Sequence, residues 1–247
     1  MKKTEKRAVV MGATSGIGRE VALVLAERGW RVGVAGRRKE LLEALMSEHQ
    51  NIVAMCVADV TADGATAALD RLIDEMHGVD LYFHSSGIGW HNTALDMRRE
   101  LATIETNCAG MARMVGHVFN RFRGQPGTPL HIAVISSIAR TKGLGAAPAY
   151  SASKRFTSNY IEALQQLAAI GRLRHITFTD IRPGFVRTPL IEGSNFPMQL
   201  DARRVAQSIV RAVEKREAVV TVNVFYRLLV ALWSLVPRWL WVRLRIF

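Results

Sequence analysis

Cysteine is scarce. The 247 residues contain two, Cys56 and Cys108, far apart and without a CxxC spacing. They fit reduced thiols in a cytosolic protein and argue against a cysteine-built metal site. Long hydrophobic runs are missing as well. Near the N-terminus only residues 8–11 are apolar before Gly12 intervenes, too short for a signal-peptide core and better read as a buried strand. Near the C-terminus the uncharged run 228–237 has ten residues, short of the roughly 20 needed to cross a bilayer. Acidic residues are thin at both ends. Residues 1–40 carry ten Lys and Arg against four Asp and Glu, and residues 203–247 carry nine against two. The middle, 41–202, is near balance at fourteen against fifteen, so the net charge of +12 sits at the ends. The interior has no stacking motif of interleaved aromatic and basic residues, which argues against a nucleic-acid partner. The surplus reads instead as serving a phosphate near the N-terminal end and an acidic surface at the C-terminal end.

What is present suits a large core: 49% of residues are hydrophobic and 22% charged. Short β-branched runs at 8–11, 31–35, 52–57, 81–84, 130–135 and 176–180 read as strands. Between them, helical patterns occupy 18–28, 39–49, 62–76, 97–122 and 150–169, and residues 218–224 read as a last strand. Near-continuous apolar strands alternating with amphipathic helices predict a parallel sheet covered on both faces. The expected fold is α/β: a doubly wound, Rossmann-like parallel sheet in three α/β/α layers. It forms one domain over residues 1–224, with an apolar extension at 225–247.

The first strand leads into Gly12-Ala13-Thr14-Ser15-Gly16-Ile17-Gly18 and then a helix. Glycines let a backbone turn tightly against a pyrophosphate, and a helix start offers unpaired N–H groups and partial positive charge. The spacing is GxxxGxG rather than the commoner GxGxxG. An NAD site would place a carboxylate at the end of the second strand. That place reads Ala35-Gly36-Arg37-Arg38. Two guanidiniums suit a 2′-phosphate, so NADP(H) is expected over NAD(H).

Tyr150 and Lys154 stand four apart on one helical face. Ser137 follows the strand 130–135, at the strand end where ligands sit in such sheets, and Asn107 falls in the preceding helix. With the glycine turn, Asp59-Val60, Asn107, Ser137, the YxxxK pair, Pro183-Gly184 and Thr188 in order, the chain resembles the short-chain dehydrogenase/reductase family. The likeness runs from about residue 7 to 188. It implies hydride transfer between a nicotinamide and a carbonyl or alcohol, and a homodimer or homotetramer.

The resemblance assigns Tyr150 as the proton donor or acceptor. It makes Lys154 the partner that lowers the phenol and holds the nicotinamide ribose, and Ser137 the orienter of the substrate oxygen. Asn107 would position a water linking Lys154 to solvent. A tyrosine near 10 must drop by roughly 3 units, about 4 kcal/mol, to work near neutrality. A cation at about 4 Å in an effective dielectric of about 20 supplies about 4 kcal/mol. Gly12, Thr14, Ser15, Gly16, Ile17, Gly18, Arg37, Arg38, Asp59, Val60, Ser86 and Gly87 would line the coenzyme site, with Tyr150 and Lys154. The segment with Pro183, Gly184, Val186 and Thr188 would cover the nicotinamide end. The chain departs from the family at His84-Ser85-Ser86-Gly87, where Asn-Asn-Ala-Gly is usual and the first Asn braces the central strands. His84 and His91 read as structural or pocket-lining, and Asp180 as a strand-end residue.

Segments 88–96, 139–149 and 189–200 should form the substrate pocket. Trp90, Leu144, Leu190, Ile191, Phe196 and Met198 favour a bulky apolar, lipid-like carbonyl over a small acidic metabolite. The tail carries Arg227, Arg238, Arg243 and Arg245 as its only charges, among Trp233, Trp239, Trp241 and leucines. It could pack on the substrate mouth, on a second subunit, or in a membrane interface at the cytoplasmic face. Its composition is also similar to that of family members acting on lipid-linked keto-sugars. A non-catalytic NADP(H) sensor or scaffold is the alternative class, but such a protein would be expected to lose Tyr150 or Lys154.

Overall fold

The computed structural model describes residues 5–191, 193, 196 and 198–244. Four positions of the expected pocket segment 189–200, and Arg245 of the tail, lie outside the described residues. Seven parallel strands form one sheet: β1 (Arg7–Met11), β2 (Arg31–Gly36), β3 (Ile52–Val57), β4 (Leu81–His84), β5 (Leu130–Ile135), β6 (Ile176–Arg182) and β7 (Val219–Thr221). Their order is β3-β2-β1-β4-β5-β6-β7. The chain therefore winds outward in both directions from β1 and β4. The crevice at the C-terminal ends of that pair is where doubly wound sheets bind ligands.

Alternation along β1 explains the two layers. Val9 and Met11 enter a core shared with α3 (Ala65–Glu75), α5 (Met111–Arg123) and α6 (Pro148–Ile170). Ala8 and Val10 enter a second core shared with α1 (Gly16–Glu27), α2 (Lys39–Glu48) and α7 (Ala202–Glu214). Successive side chains of a strand point to opposite faces, so a strand covered on both sides is apolar throughout.

Three expectations need correction. The single helix expected over 97–122 is α4 (Met97–Ile104), a π-turn at Glu105–Gly110, and α5. Such wide turns insert a residue without breaking the helix. Helix α7 was not expected, although Val205, Ala206, Ile209, Val210 and Val213 make one buried stripe and Asp201 caps it by accepting from Arg204 N. The last strand stops at Thr221, because the Asn223 side chain accepts from Phe225 N and opens α8 (Val224–Leu235). A proline then separates α8 from the short α9 (Arg238–Trp241).

Candidate active site

One continuous cleft runs over the C-terminal ends of the strands, from the glycine turn to the start of α6. At its first end, Gly12 N and Ala13 N both donate to Ala35 O, at 2.8 and 3.0 Å, folding the turn back onto β2. Gly12 has φ +87°, and a Cβ there would lie 2.6 Å from the Ser86 nitrogen. A Cβ on Gly18 would meet Gly12 O at 2.2 Å. Gly12 is required for both conformation and closeness, and Gly18 for closeness alone. Helix α1 starts at Gly16 without a side-chain cap and without an acid in its first turn. Its leading N–H groups and partial positive charge are thereby offered to the cleft, and the donor set fits a pyrophosphate.

Arg38 hydrogen-bonds through Nη2 to Thr14 Oγ1 at 2.6 Å and to Ser15 Oγ at 2.9 Å, so one guanidinium spans the turn. Arg37 Nη1 stands 3.8 Å from Asp59 Oδ2. Burial works to raise the Asp59 carboxyl, but bonds from Thr61 N–H and hydroxyl, with the Arg37 charge, hold it below the usual range. At pH 7 the ends of β2 and β3 thus present two cations and one anion.

At the other end, α6 is aimed by a buried anion. Glu100 Oε2 accepts from Ala149 N at 2.9 Å, while Asn92 Nδ2 donates to Glu100 Oε1 at 2.7 Å. A carboxylate at a helix N-terminus complements its positive end. Tyr150 follows in the first turn, and hydrogen bonding with the Ser137 side chain favours its phenolate. Ser137 also caps the short turn Ile138–Thr141 by accepting from Ala139 N. Lys154 is buried, and its Nζ donates to Ile135 O at 3.0 Å. It lies 5.7 Å from the centroid of the Tyr150 ring. Gly89 approaches that ring so closely that a Cβ would fall 2.4 Å from Tyr150 Cδ2.

Burial and the Ser137 bond act on the Tyr150 phenol in opposite directions. Loss of solvent raises the phenol above its ordinary range, and the Ser137 bond only partly opposes this. The ammonium that should lower it is turned toward Ile135 O, and burial pulls that ammonium down to about 8. The phenol is therefore protonated throughout the neutral range.

Of the expected residues, all but Gly18 and Asn107 line the cleft. Gly18 lies beneath the turn. Asn107 sits in the π-turn behind Ile88, its Oδ1 accepting from Ile88 N and its Nδ2 donating to Ile88 O, both at 2.8 Å. Nδ2 also reaches Ser153 Oγ at 3.0 Å. These direct bonds brace the strand-end loop against α6. His84, in the place of the usual asparagine, is buried and bonded through Nδ1 to the Tyr82 hydroxyl at 3.0 Å. Burial, then the Lys154 charge, holds it neutral by pulling it to about 3.

Asp180 is the residue that the strand-end reading missed. Its buried carboxylate accepts from the Ser136 hydroxyl, from Ser158 Oγ at 2.8 Å and from Arg182 Nε at 2.7 Å. It ties the end of β5 and the α6 turn after Lys154 to the residue before Pro183, and its charge favours the Lys154 ammonium. No short-range pattern marks it, since Ser136 and Ser158 are 44 and 22 residues away.

The outer cleft is lined by Trp90, His91, Leu144, Leu190, Ile191 and Phe196, as expected, but not by Met198. The Met198 carbonyl instead receives the Tyr226 hydroxyl at 3.0 Å. Tyr226 is buried against Gly184, where a Cβ would come within 2.3 Å of its ring. About two turns further along α8, Trp233 completes the cleft wall.

This architecture and residue set coincide with a known family: the short chain dehydrogenase pattern matches residues 6–198. The chain belongs to the short-chain dehydrogenases. It is similar to an uncharacterized oxidoreductase of Myxococcus xanthus, 39% identical over 204 residues, covering 78% of this chain and 77% of that protein. It is also similar to dehydrogenase/reductase SDR family member 7B of Xenopus tropicalis, 28% identical, covering 93% and 81%. Among solved structures, an actinorhodin polyketide ketoreductase variant with NADPH superimposes with a TM-score of 0.75 at 26% identity, covering 88% of this chain and 95% of that one. A short-chain dehydrogenase/reductase from Burkholderia phymatum in complex with NAD gives 0.80 at 20%, covering 94% of each, and speaks to the fold alone. As a short-chain dehydrogenase, the protein is an oxidoreductase whose fold binds a nicotinamide coenzyme.

Proposed function

We propose that this short-chain dehydrogenase is an NADP(H)-dependent carbonyl reductase acting on a bulky, apolar ketone or aldehyde. The observation that carries the reading is that Tyr150, Ser137 and Lys154 open onto the same cleft as the glycine turn and Arg38. When bound, the nicotinamide supplies the hydride. Thr14, Ser15, Gly16 and Ile17 hold the pyrophosphate from the turn, and Arg37 and Arg38 meet a 2′-phosphate. Asp59, Val60, Ser86 and Gly87 line the adenosine side, and Pro183, Gly184, Val186 and Thr188 the nicotinamide side. Relatives include both NADPH and NAD complexes, so the coenzyme choice rests on the two arginines and the missing carboxylate after β2.

Ser137 orients the substrate oxygen and Tyr150 delivers a proton to it. In the reductive direction the protonated Tyr150 phenol acts as the acid. Lys154 holds the ribose and stabilises the phenolate left behind, with Asp180 keeping its charge. Few charged groups line the outer cleft, which favours an apolar substrate. An exposed apolar stripe, Met97, Leu101 and Ile104 on α4 with Phe156 and Leu167 on α6, supports assembly into a homodimer or homotetramer. The same reading places the protein in the cytoplasm and divides it into a catalytic unit, 1–224, and a tail, 225–247, that closes the substrate side.

The test is NADPH consumption against matched sets of lipid-like and small polar ketones, repeated with NADH. The reading expects turnover of the apolar set and a preference for NADPH. No turnover with any carbonyl, or a preference for the polar set or for NADH, would overturn it.

A further inference from the structure

We propose that the outward face of α8 and α9 docks on an anionic bilayer surface and sets the mouth of the substrate cleft against the headgroup layer. The docking is independent of the coenzyme chemistry. Only the corollary, that substrate enters from the lipid, rests on the reductase reading.

Helix α8 is apolar almost all round. One stripe, Tyr226, Leu229, Val230 and Trp233, faces inward. The opposite stripe, Leu228, Leu232 and Leu235, is 60%, 65% and 79% exposed, and Trp239 and Val242 continue it at 64% each. A helix apolar on every side belongs in a core or at a lipid boundary. Packing on the cleft consumes only the inner stripe, so it leaves the outer one unexplained.

The pair of helices is held rigidly. Tyr226 bonds Met198 O, Lys142 Nζ donates to Val236 O at 2.8 Å, and Trp241 Nε1 donates to Gly143 O at 2.8 Å. The apolar face is therefore a fixed surface. Neither helix is long and apolar enough to cross a membrane, so the geometry is that of a helix lying in the interface plane.

Charge selects the occupant. Arg227, Arg238 and Arg243 are exposed beside the apolar stripe, and no acid follows Glu217. In a twofold contact between copies the same patch faces itself, which would set arginine against arginine. An anionic lipid surface complements all three, at about fivefold in partition for each basic residue near it. The stripe is continuous with the cleft: Trp233 lines the cleft while its neighbour Leu232 faces out, and Trp90 and Leu190 line the cleft while remaining exposed. An amphiphile with its head among lipid headgroups could thus reach Tyr150 without passing through bulk water.

The full chain would be sedimented with vesicles of phosphatidylcholine alone and with one-third phosphatidylglycerol. The expected result is binding to the anionic vesicles, weakened by salt, and little binding to the neutral ones. Leu232→Glu with Leu235→Glu should cut partition at least tenfold (about) at an unchanged melting temperature, since both side chains already face solvent. Arg238→Gln with Arg243→Gln should cut it by about tenfold or more on anionic vesicles only, and this pair decides the matter should the glutamates unfold the helix. Absence of binding to anionic vesicles would overturn the proposal, as would undiminished binding by both pairs. So would glutamates that merely convert a larger oligomer to a smaller one without vesicle binding, which would make the face a contact between copies. NADPH oxidation with a water-soluble ketone should be the same in the Leu232→Glu, Leu235→Glu protein. Failure of the reductase reading would thus appear in that assay and leave the vesicle result untouched.

Discussion

Replacing Lys154 by methionine should remove activity and yet stabilise the folded chain at neutral pH. The lysine is 6% exposed, and burial, opposed by the Asp180 and Cys108 charges, pulls it from 10.5 to about 8. At about 1.4 kcal/mol per unit, holding the charged form in the folded state costs about 3 kcal/mol. Below pH 8 the group is protonated both folded and unfolded, so the whole cost is present at pH 7. Between about 8 and 10.5 the unfolded chain binds more protons, and wild-type stability climbs with pH. Methionine keeps an unbranched apolar stem and loses the bond to Ile135 O, which returns about 1–2 kcal/mol of cost. The net gain is about 1–2 kcal/mol, or about 2–8 °C in melting temperature for a chain of this size. Thermal unfolding of both proteins at pH 7 and pH 10 measures it. The variant should melt higher at pH 7, and the gap should close or reverse at pH 10. A variant that is less stable at pH 7, by an amount indifferent to pH, would refute the reasoning.

Arg38→Ala should weaken NADPH binding by about 10- to 100-fold, the loss of one charge-assisted bond to a phosphate, and leave NADH binding within a few-fold; fluorescence titration with each nucleotide checks both. Gly184→Ala should drive a methyl into the Tyr226 ring and destabilise the chain by about 1–3 kcal/mol in urea denaturation. Gly89→Ala should lower kcat more than it raises the coenzyme KM, because the added methyl displaces the Tyr150 ring, while the glycine turn is untouched.

The sheet was legible in the sequence because a strand covered on both faces has to be apolar throughout, and six of the seven strands were placed to within two residues. The glycine turn and the Tyr150–Lys154 pair were legible because each is local: a backbone that needs Gly12 and Gly16 at positive φ, and two side chains one helical turn apart. Features that depend on distant partners were not. The Asp180 carboxylate looks like any acid at a strand end until β5 and α6 bring Ser136 and Ser158 to it. The π-turn at Asn107 shifts the hydrogen-bond register without changing the amphipathic pattern. Helix α7 has a local signal, since Asp201 precedes a stripe at Val205, Ile209 and Val213. Spacing reveals that Lys154 is near the Tyr150 ring, and not that its ammonium is bonded to Ile135 O.

The central claim is that the Tyr150 phenol protonates a carbonyl oxygen while hydride arrives from NADPH in the same cleft. It is tested most directly by single-turnover transfer of deuterium from NADPH labelled at the nicotinamide C4 to an apolar ketone, in wild type and Tyr150→Phe, with product analysed by mass spectrometry. One deuterium on the carbinol carbon is expected in wild type, with transfer slowed by about 100-fold or more in the variant at unchanged NADPH affinity. Equal rates of transfer in the two proteins would contradict it.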